Sequence, residues 1–161
     1  MFHFCLRFLA LFFIGFQVQA QFQVGDLSPS TGRWKGQLTY LDYTSGKSFS
    51  MAANLHINLS SDQKGYIRKF EYPKEPHANS VDTVMVDKTN FGDAKIVRVD
   101  RTSPTDITWV TENLGEDGND HKKAILRHTY QVKGNQYRIT KEVKFEGSTT
   151  YIKRHEYLFT R

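Results

Sequence analysis

Residues 32–57 read GRWKGQLTYLDYTSGKSFSMAANLHI, and this stretch decides the fold. It begins with a Gly-x-Trp, followed by two runs of alternating apolar and polar residues with a turn at 44–47 between them. Successive side chains of a strand point to opposite faces, so the alternation predicts strands with one buried face. Gly46 can adopt the positive φ that a tight turn needs. The stretch therefore predicts an antiparallel hairpin.

The remainder of the chain continues this pattern. Turn-forming residues separate further alternating runs at fairly even spacing, and no window shows the 3.6-residue period of a helix. Pro73 and Pro76 end the third run, because proline cannot donate to a strand ladder. The predicted fold is all-β, an antiparallel meander closed as a β-barrel of about 8–10 strands, with a β-sandwich as the alternative. The nine predicted strands are Arg33–Tyr43, Ser48–Leu59, Tyr66–Tyr72, Val81–Asp87, Lys95–Asp100, Asp106–Glu112, Lys123–Val132, Gln136–Phe145 and Thr149–Thr160.

The N-terminal residues predict a secretory signal peptide. Arg7 precedes an uncharged apolar run, and Ala20 ends a small-residue cleavage pattern. The apolar run is too short to span a membrane as a helix. We therefore expect a signal peptide over 1–20, a polar leader over 21–31 and a single barrel domain over 32–161. The protein is expected to be exported to the periplasm or the extracellular space, with no membrane span after cleavage.

Cysteine content and charge reduce the number of functions that the sequence favours. The single cysteine, Cys5, lies in the predicted signal, so the mature chain is expected to lack disulfides and thiolate ligands. The net charge is +5, but the basic residues are spread along the strands, which does not predict a nucleic-acid partner. We find no nucleophile elbow, phosphate loop or spaced metal-ligand pattern in the sequence. The sequence thus leans away from an enzyme and predicts no cofactor and no metal.

The inward faces of the strands carry the candidate site. In the second strand Phe49, Met51 and Leu55 share one face, and the same phase can be followed in the other strands. Several of these faces include an ionisable residue, which is costly to bury unless it is paired or faces an anion. In a closed barrel, the inward-facing side chains of all the strands surround one lumen. The predicted ligand-binding residues are Tyr40, Asp42, Arg68, His128, Tyr130 and Lys141.

Gly32-Arg33-Trp34, at the head of a meander soon after a signal peptide, resembles the Gly-x-Trp of lipocalins and their calycin relatives. The resemblance implies a barrel with a cavity for small, mostly apolar ligands. It also implies that Trp34 packs at the closed end beneath a late arginine, for which Arg154 and Arg161 are both candidates. The chain ends as a strand and lacks the usual C-terminal helix, which is similar to small exported bacterial barrels of unassigned function.

These observations lead to two expectations for function. The first is an exported binding protein that holds an apolar or amphipathic, acidic small molecule, such as a fatty acid, in the barrel. Aromatic side chains would supply contact, and Arg68 or Lys141 would fix the anionic end. The alternative is a protein–protein interaction module with a filled core and no ligand.

Overall fold

The computed structural model describes residues 21–62 and 64–161, so the predicted signal peptide over 1–20 lies outside the described residues. The described chain folds into one antiparallel sheet with two short 3-10 helices, at 24–30 and 76–78. None of its helices is long and apolar enough to cross a membrane. The strands are β1 (Gly32–Leu41), β2 (Ser48–Leu59), β3 (Gly65–Glu71), β4 (Ser80–Met85), β5 (Asn90–Phe91), β6 (Ala94–Ser103), β7 (Asp106–Asp117), β8 (Lys122–Lys133), β9 (Gln136–Phe145) and β10 (Ile152–Thr160).

The sheet is nearly closed into a barrel. Consecutive strands pair from β1 to β4 and from β5 to β10, and β1 also pairs with β10, which joins the two halves of the meander. β4 and β5 are the two edge strands of the order. They are joined by an isolated bridge between Val86 and Phe91 and by a hydrogen bond from Gly92 N to Met85 O at 2.7 Å. We call this junction the seam. The prediction of an antiparallel all-β barrel is confirmed.

The structure extends one predicted strand and adds another. β7 continues to Asp117, where a loop was predicted from Leu114, and its register with β8 places Glu116 opposite Lys123 and Asp117 opposite Lys122. The ladder between β7 and β8 is thus continuous up to a tight turn. The structure also has a tenth strand, β5, which consists of two residues and is too short to show alternation.

A β-bulge in β10 determines which of its residues point inward. The register with β9 shifts between Lys153 and His155, so that one extra residue, Arg154, is accommodated there. The sequence alone left the inward face of this strand ambiguous. In the structure His155 lies opposite Lys141, and Phe159 is buried at 1% exposure. The bulge thus determines that His155 and Phe159 belong to the inward face of β10.

Trp34 seals one end of the barrel. Its side chain is 1% exposed, its Nε1 donates to Ser30 O at 2.8 Å, and the Arg161 guanidinium carbon lies 4.2 Å from its ring. Of the two candidate arginines, Arg161 therefore lies over the tryptophan. A cation over an indole face is attractive, and more so where water is excluded.

The polar leader is part of this closed end. Phe22 and Leu27 are 1% and 0% exposed, and both belong to the core cluster. Arg161 also donates to the leader, through Nη1 to Thr31 O at 2.8 Å and through Nη2 to Pro29 O at 3.2 Å. These two hydrogen bonds to backbone carbonyl groups connect Arg161 to the leader.

Two glycines meet specific backbone demands. Gly46 adopts φ 67° in the turn between β1 and β2, as the sequence predicted. Gly36 lies where β1 packs against β10, and a Cβ built on it would be 1.9 Å from Leu158 O. Only a residue without a side chain fits at that position without a shift of one of the two strands.

Gly36→Ala should therefore destabilise the barrel by about 2 kcal/mol or more, because the added methyl must push β1 away from β10. Chemical denaturation, followed by far-ultraviolet circular dichroism, measures the change. Gly25→Ala is the matched control, because a Cβ at Gly25 meets no atom within 4 Å. A loss for Gly36→Ala no larger than that for Gly25→Ala would contradict the close approach.

Candidate functional site

The barrel contains a cavity of about 300 Å³ next to the seam. Gly92 and Asp93 of the seam are exposed and line it, so the cavity meets solvent there. Its walls combine flat rings with polar groups. The rings are Phe70, Phe91, Tyr130 and Tyr157, the aliphatic side chains include Val84, Leu126 and Ile139, and the polar side chains are Arg68, Asp93, Thr111, Asn113, His128 and His155.

A larger groove of about 640 Å³ lies at the ends of β7, β8 and β9. Leu114, which lines it, is 84% exposed. Its charged side chains are two acids and two bases, of which Glu116, Lys123 and Glu146 are exposed and Lys144 is half-buried. We place the candidate site in the smaller cavity. Its polar groups are buried and need hydrogen-bond partners, whereas the polar groups of the exposed groove are hydrated by water.

Arg68 is the main charged group of the cavity. It lies on the inward face of β3, its side chain is 18% exposed, and its Nε is buried without a hydrogen-bond partner among the described residues. Its Nη2 is 3.4 Å from the carboxylate of Asp82, which is half-exposed. The guanidinium carbon lies 5.8 Å and 5.9 Å from the ring centres of Phe70 and Phe91. Arg68 is thus a buried cation held between rings, and one long, solvent-screened ion pair neutralises it only weakly.

His128 and His155 bring two neutral imidazoles to the same wall. Both lie opposite Lys141 in the ladder, one on each side of β9, and their ring centres are 6.4 Å apart. Burial, then the charges of Lys141 and Arg68, lowers the pKa of His128 to about 4. Burial, then the neighbouring His128, Lys141 and Arg154, lowers the pKa of His155 to about 3. At neutral pH each ring therefore offers one hydrogen-bond donor and one acceptor and carries no charge.

Two more donors near Tyr130 lack partners among the described residues. Thr111 is 1% exposed, lies opposite His128 in the ladder, and has an unsatisfied Oγ1. Trp109 Nε1 is also buried and unsatisfied, and its ring stacks on Tyr130 with the ring centres 4.9 Å apart. Unsatisfied buried donors are rare, and together with Arg68 Nε this region has three of them among the described residues.

A charged cluster lies beyond the histidines, at the end of the barrel opposite Trp34. Asp117 contacts Lys141 in a short ion pair and Arg154 at 3.5 Å, and its side chain is 7% exposed. Burial opposes ionisation of Asp117, but the hydrogen bonds from Lys141 and the Gly118 amide and the charge of Lys141 outweigh it and hold the pKa below its ordinary value. One buried carboxylate thus serves two cations, which leaves this end of the lumen with an excess of positive charge.

The structure brings three of the six predicted residues together at the cavity: Arg68, His128 and Tyr130. Lys141 faces the lumen but is paired with Asp117. Tyr40 is half-buried and packs against Phe49, with ring centres 5.7 Å apart. The Asp42 carboxylate accepts hydrogen bonds from Thr44 N at 3.0 Å and from Ser45 Oγ at 2.7 Å, which form the turn. A ligand-binding role for these residues stays a prediction.

Three of the cavity residues that sequence reasoning missed show why it missed them. His155 and Tyr157 were named as one of two possible faces of the last strand, and only the bulge at Arg154 selects that face. Thr111 falls on the inward phase of β7, between Trp109 and Asn113, so its position was available from alternation. A threonine is common on either face of a strand, and nothing in its type distinguished it.

The low pKa values of the two histidines predict a loss of stability in mild acid. In the unfolded chain a histidine titrates near pH 6.5, whereas His128 and His155 hold their neutral form until about pH 4 and 3. Between these values the unfolded chain binds more protons, so the free energy of unfolding should fall as pH decreases, by up to about 1.4 kcal/mol per pH unit for each group. Urea unfolding from pH 7.5 to 5 measures the slope, in a range where carboxylates contribute little.

His128→Gln should flatten this slope, because the variant removes one of the two groups. His77→Gln is the control, since His77 is exposed in the loop between β3 and β4, and its profile should coincide with that of the unaltered protein. Equal slopes for all three proteins would show that the cavity histidines are not held neutral.

Comparisons with known proteins support the fold. No protein-family model matches the chain, and no curated protein matches its sequence. The crystal structure of Rv2717c from M. tuberculosis is similar over 84% of this chain and 94% of that chain, with a TM-score of 0.57 and 12% identity. A protein with unknown function from the DUF3598 family of Nostoc punctiforme is similar over 92% of this chain and 53% of that chain, with a TM-score of 0.42 and 10% identity. At such identities, the likeness to Rv2717c shows the barrel architecture alone.

Proposed function

We propose that this protein binds a small organic acid in the barrel cavity, with the acid group at Arg68 and the apolar body against the surrounding rings. The observation that carries the proposal is the Arg68 guanidinium, which is buried beside the cavity with Nε unsatisfied and with a half-exposed Asp82 as its ion-pair partner. A carboxylate can accept two parallel hydrogen bonds from a guanidinium, a strong and directional interaction.

The charges around the lumen support an anion over a cation. Arg68, Lys141 and Arg154 have side chains that are 18%, 18% and 25% exposed. Among the described acidic groups that pair with them, Asp117 is well buried, whereas Asp82 is 49% exposed and more strongly screened by water. Asp93 also lines the cavity, but it is exposed at the seam. The buried part of the lumen therefore contains more cationic than anionic side chains, which supports uptake of an anion.

The aromatic and apolar lining supports an amphipathic ligand. Binding cavities combine mostly apolar walls with a few placed polar groups that orient the ligand, and this cavity has that composition. The Gly-x-Trp beneath a late arginine is shared with lipocalin-like barrels, which are binding proteins by that resemblance. Both features favour a binding protein over an interaction module with a filled core.

The test is binding of small monocarboxylic acids, aliphatic and aromatic, to the purified protein by isothermal titration calorimetry. At least one acid should bind with a Kd below about 1 mM, and Arg68→Met should weaken it at least tenfold, since a charge-assisted hydrogen bond contributes about 1.5–3 kcal/mol. Arg98→Met is the control, because Arg98 is 57% exposed on β6 and is expected to leave affinity unchanged.

Two outcomes would contradict the proposal. One is the absence of binding by every acid in the series, which would favour the interaction-module alternative. The other is equal affinity for the unaltered protein and Arg68→Met. Circular dichroism of each variant establishes that the barrel is intact, so a loss of binding can be assigned to the missing guanidinium.

We also propose that the protein acts outside the cytoplasm, on the basis of its predicted signal peptide. Cleavage after Ala20 would leave Gln21 as the first residue, and the Gln21 carbonyl accepts a hydrogen bond from Arg101 at 3.0 Å in the folded protein. The intact mass of protein recovered from the exported fraction of its source should correspond to a chain that begins at Gln21. Recovery of a cytosolic protein that retains residues 1–20 would overturn this proposal.

A further inference from the structure

Flat rings at contact distance from one another form part of the cavity walls, beside aliphatic side chains such as Leu126 and Ile139. Phe70 packs on Tyr157 with ring centres 5.1 Å apart, and Phe91 packs on Tyr130 at the same separation. The histidines extend these two groups, with His155 5.4 Å from Tyr157 and His128 6.1 Å from Tyr130. Rings therefore line both sides of the space beside Arg68.

Resting on the proposed function, we infer that the ligand is a single-ring aromatic carboxylic acid. Its carboxylate binds the Arg68 guanidinium, and its ring packs among Phe70, Phe91, Tyr130 and Tyr157. This specifies an acid of benzoate type and disfavours the extended acyl chain that the sequence suggested.

The volume of the cavity sets the size of the ligand. A space of about 300 Å³ holds roughly ten water-sized groups at about 30 Å³ each. A carboxylate on one aromatic ring has about this number of non-hydrogen atoms. A long-chain fatty acid is considerably larger and would have to project through the seam into solvent, where its methylene groups gain no burial.

The chemistry of the walls favours an aromatic ring over a saturated one of equal size. Aromatic rings pack edge-to-face or offset because the positive edge of one meets the negative face of another, and a saturated ring gains only the apolar contact. The surrounding rings already use tilted and edge-to-face arrangements with each other, such as the tilted pair of Phe91 and Tyr130 and the T-shaped pair of His155 and Tyr157. A ligand ring would continue this packing and gain affinity on several sides.

The rigidity of the walls favours one planar ligand shape. Tyr157 donates or accepts a hydrogen bond with Tyr72 at 2.7 Å, and Tyr130 is stacked on the fully buried Trp109. Rings held in this way cannot open to admit a wider ligand without losing those contacts. A two-ring acid should therefore bind less well than a one-ring acid, although it offers more apolar area.

The experiment compares benzoate, cyclohexanecarboxylate, 2-naphthoate and octanoate by calorimetry with the purified protein. Benzoate should bind at least fivefold more tightly than cyclohexanecarboxylate, which has the same carboxylate and a similar volume. Benzoate should also bind more tightly than 2-naphthoate and octanoate. Phe70→Leu should reduce the preference for benzoate over cyclohexanecarboxylate toward equality, while Phe49→Leu, at an aromatic residue that is 54% exposed, should preserve it.

The outcomes separate this inference from the proposed function. If cyclohexanecarboxylate or octanoate binds as tightly as benzoate, in an Arg68-dependent manner, the aromatic inference is overturned and the proposed function stands. If 2-naphthoate binds most tightly, the single-ring limit is overturned. If none of the four acids binds but another acid of the wider series does, the aromatic inference is overturned and the proposed function stands. If no acid of that series binds, both proposals fail. Thermal unfolding of Phe70→Leu shows whether that variant is folded, and the comparison of the four acids with the unaltered protein does not depend on it.

Discussion

The barrel depends on the ladder between its first and last strands. β1 pairs with β10 from Lys35, opposite Thr160, to Tyr40, opposite His155. Without this ladder, the strand pairing of the described residues would join β1–β4 to β5–β10 only through the short seam. Gly36 permits the two strands to approach, and Arg161 then reaches back from the end of β10 to the leader and Trp34. Closure of the sheet and closure of the end sealed by Trp34 therefore both depend on the position of β10.

This closure creates the chemistry of the lumen. Arg68 on β3 and His155 on β10 are far apart in sequence, and they line one cavity because β1 and β2 connect their strands around the barrel. In an open sheet, both side chains would reach water at little cost. Inside the barrel, the same side chains lose solvent, and the two histidines respond by remaining neutral. A guanidinium cannot respond in that way, so it retains its charge and its need for an acceptor.

Strict alternation made much of the fold predictable from sequence. The bounds of β2 and β9 were predicted to the residue, because both have clear alternation between turn-forming residues. The same alternation placed Arg68, His128 and Tyr130 on the inward face, and all three line the cavity. The turn at Gly46 also depends on a short segment alone. Features that depend on a few successive residues could thus be predicted from the sequence.

The features that escaped prediction depend on contacts between distant residues. Asp117 was assigned to a loop, so the partner of Lys141 was missed, and Lys141 was interpreted as a ligand-binding residue. The extension of β7 that brings Asp117 inward is stabilised by the facing strand β8, which the local sequence does not report. Similarly, the bulge at Arg154 has no marker such as glycine, yet it selects the face that carries His155. Register between strands is a property of the pair and not of either strand alone.

The division of charge in the lumen explains why the candidate site lies at the seam and not at the far end. Lys141 and Arg154 share Asp117, and Asn119 donates to Thr44 at 2.9 Å, so the loops there are joined over the ion cluster. Asp117, a carboxylate that is 7% exposed, already pairs with both cations at that end, although Arg154 Nη1 is buried without a hydrogen-bond partner among the described residues. At the seam, Arg68 has Asp82, which water screens, and the edge strands are held by few hydrogen bonds. A cation with a solvent-screened carboxylate partner therefore lies beside the weakest junction of the barrel, where a ligand can both enter and supply an acceptor.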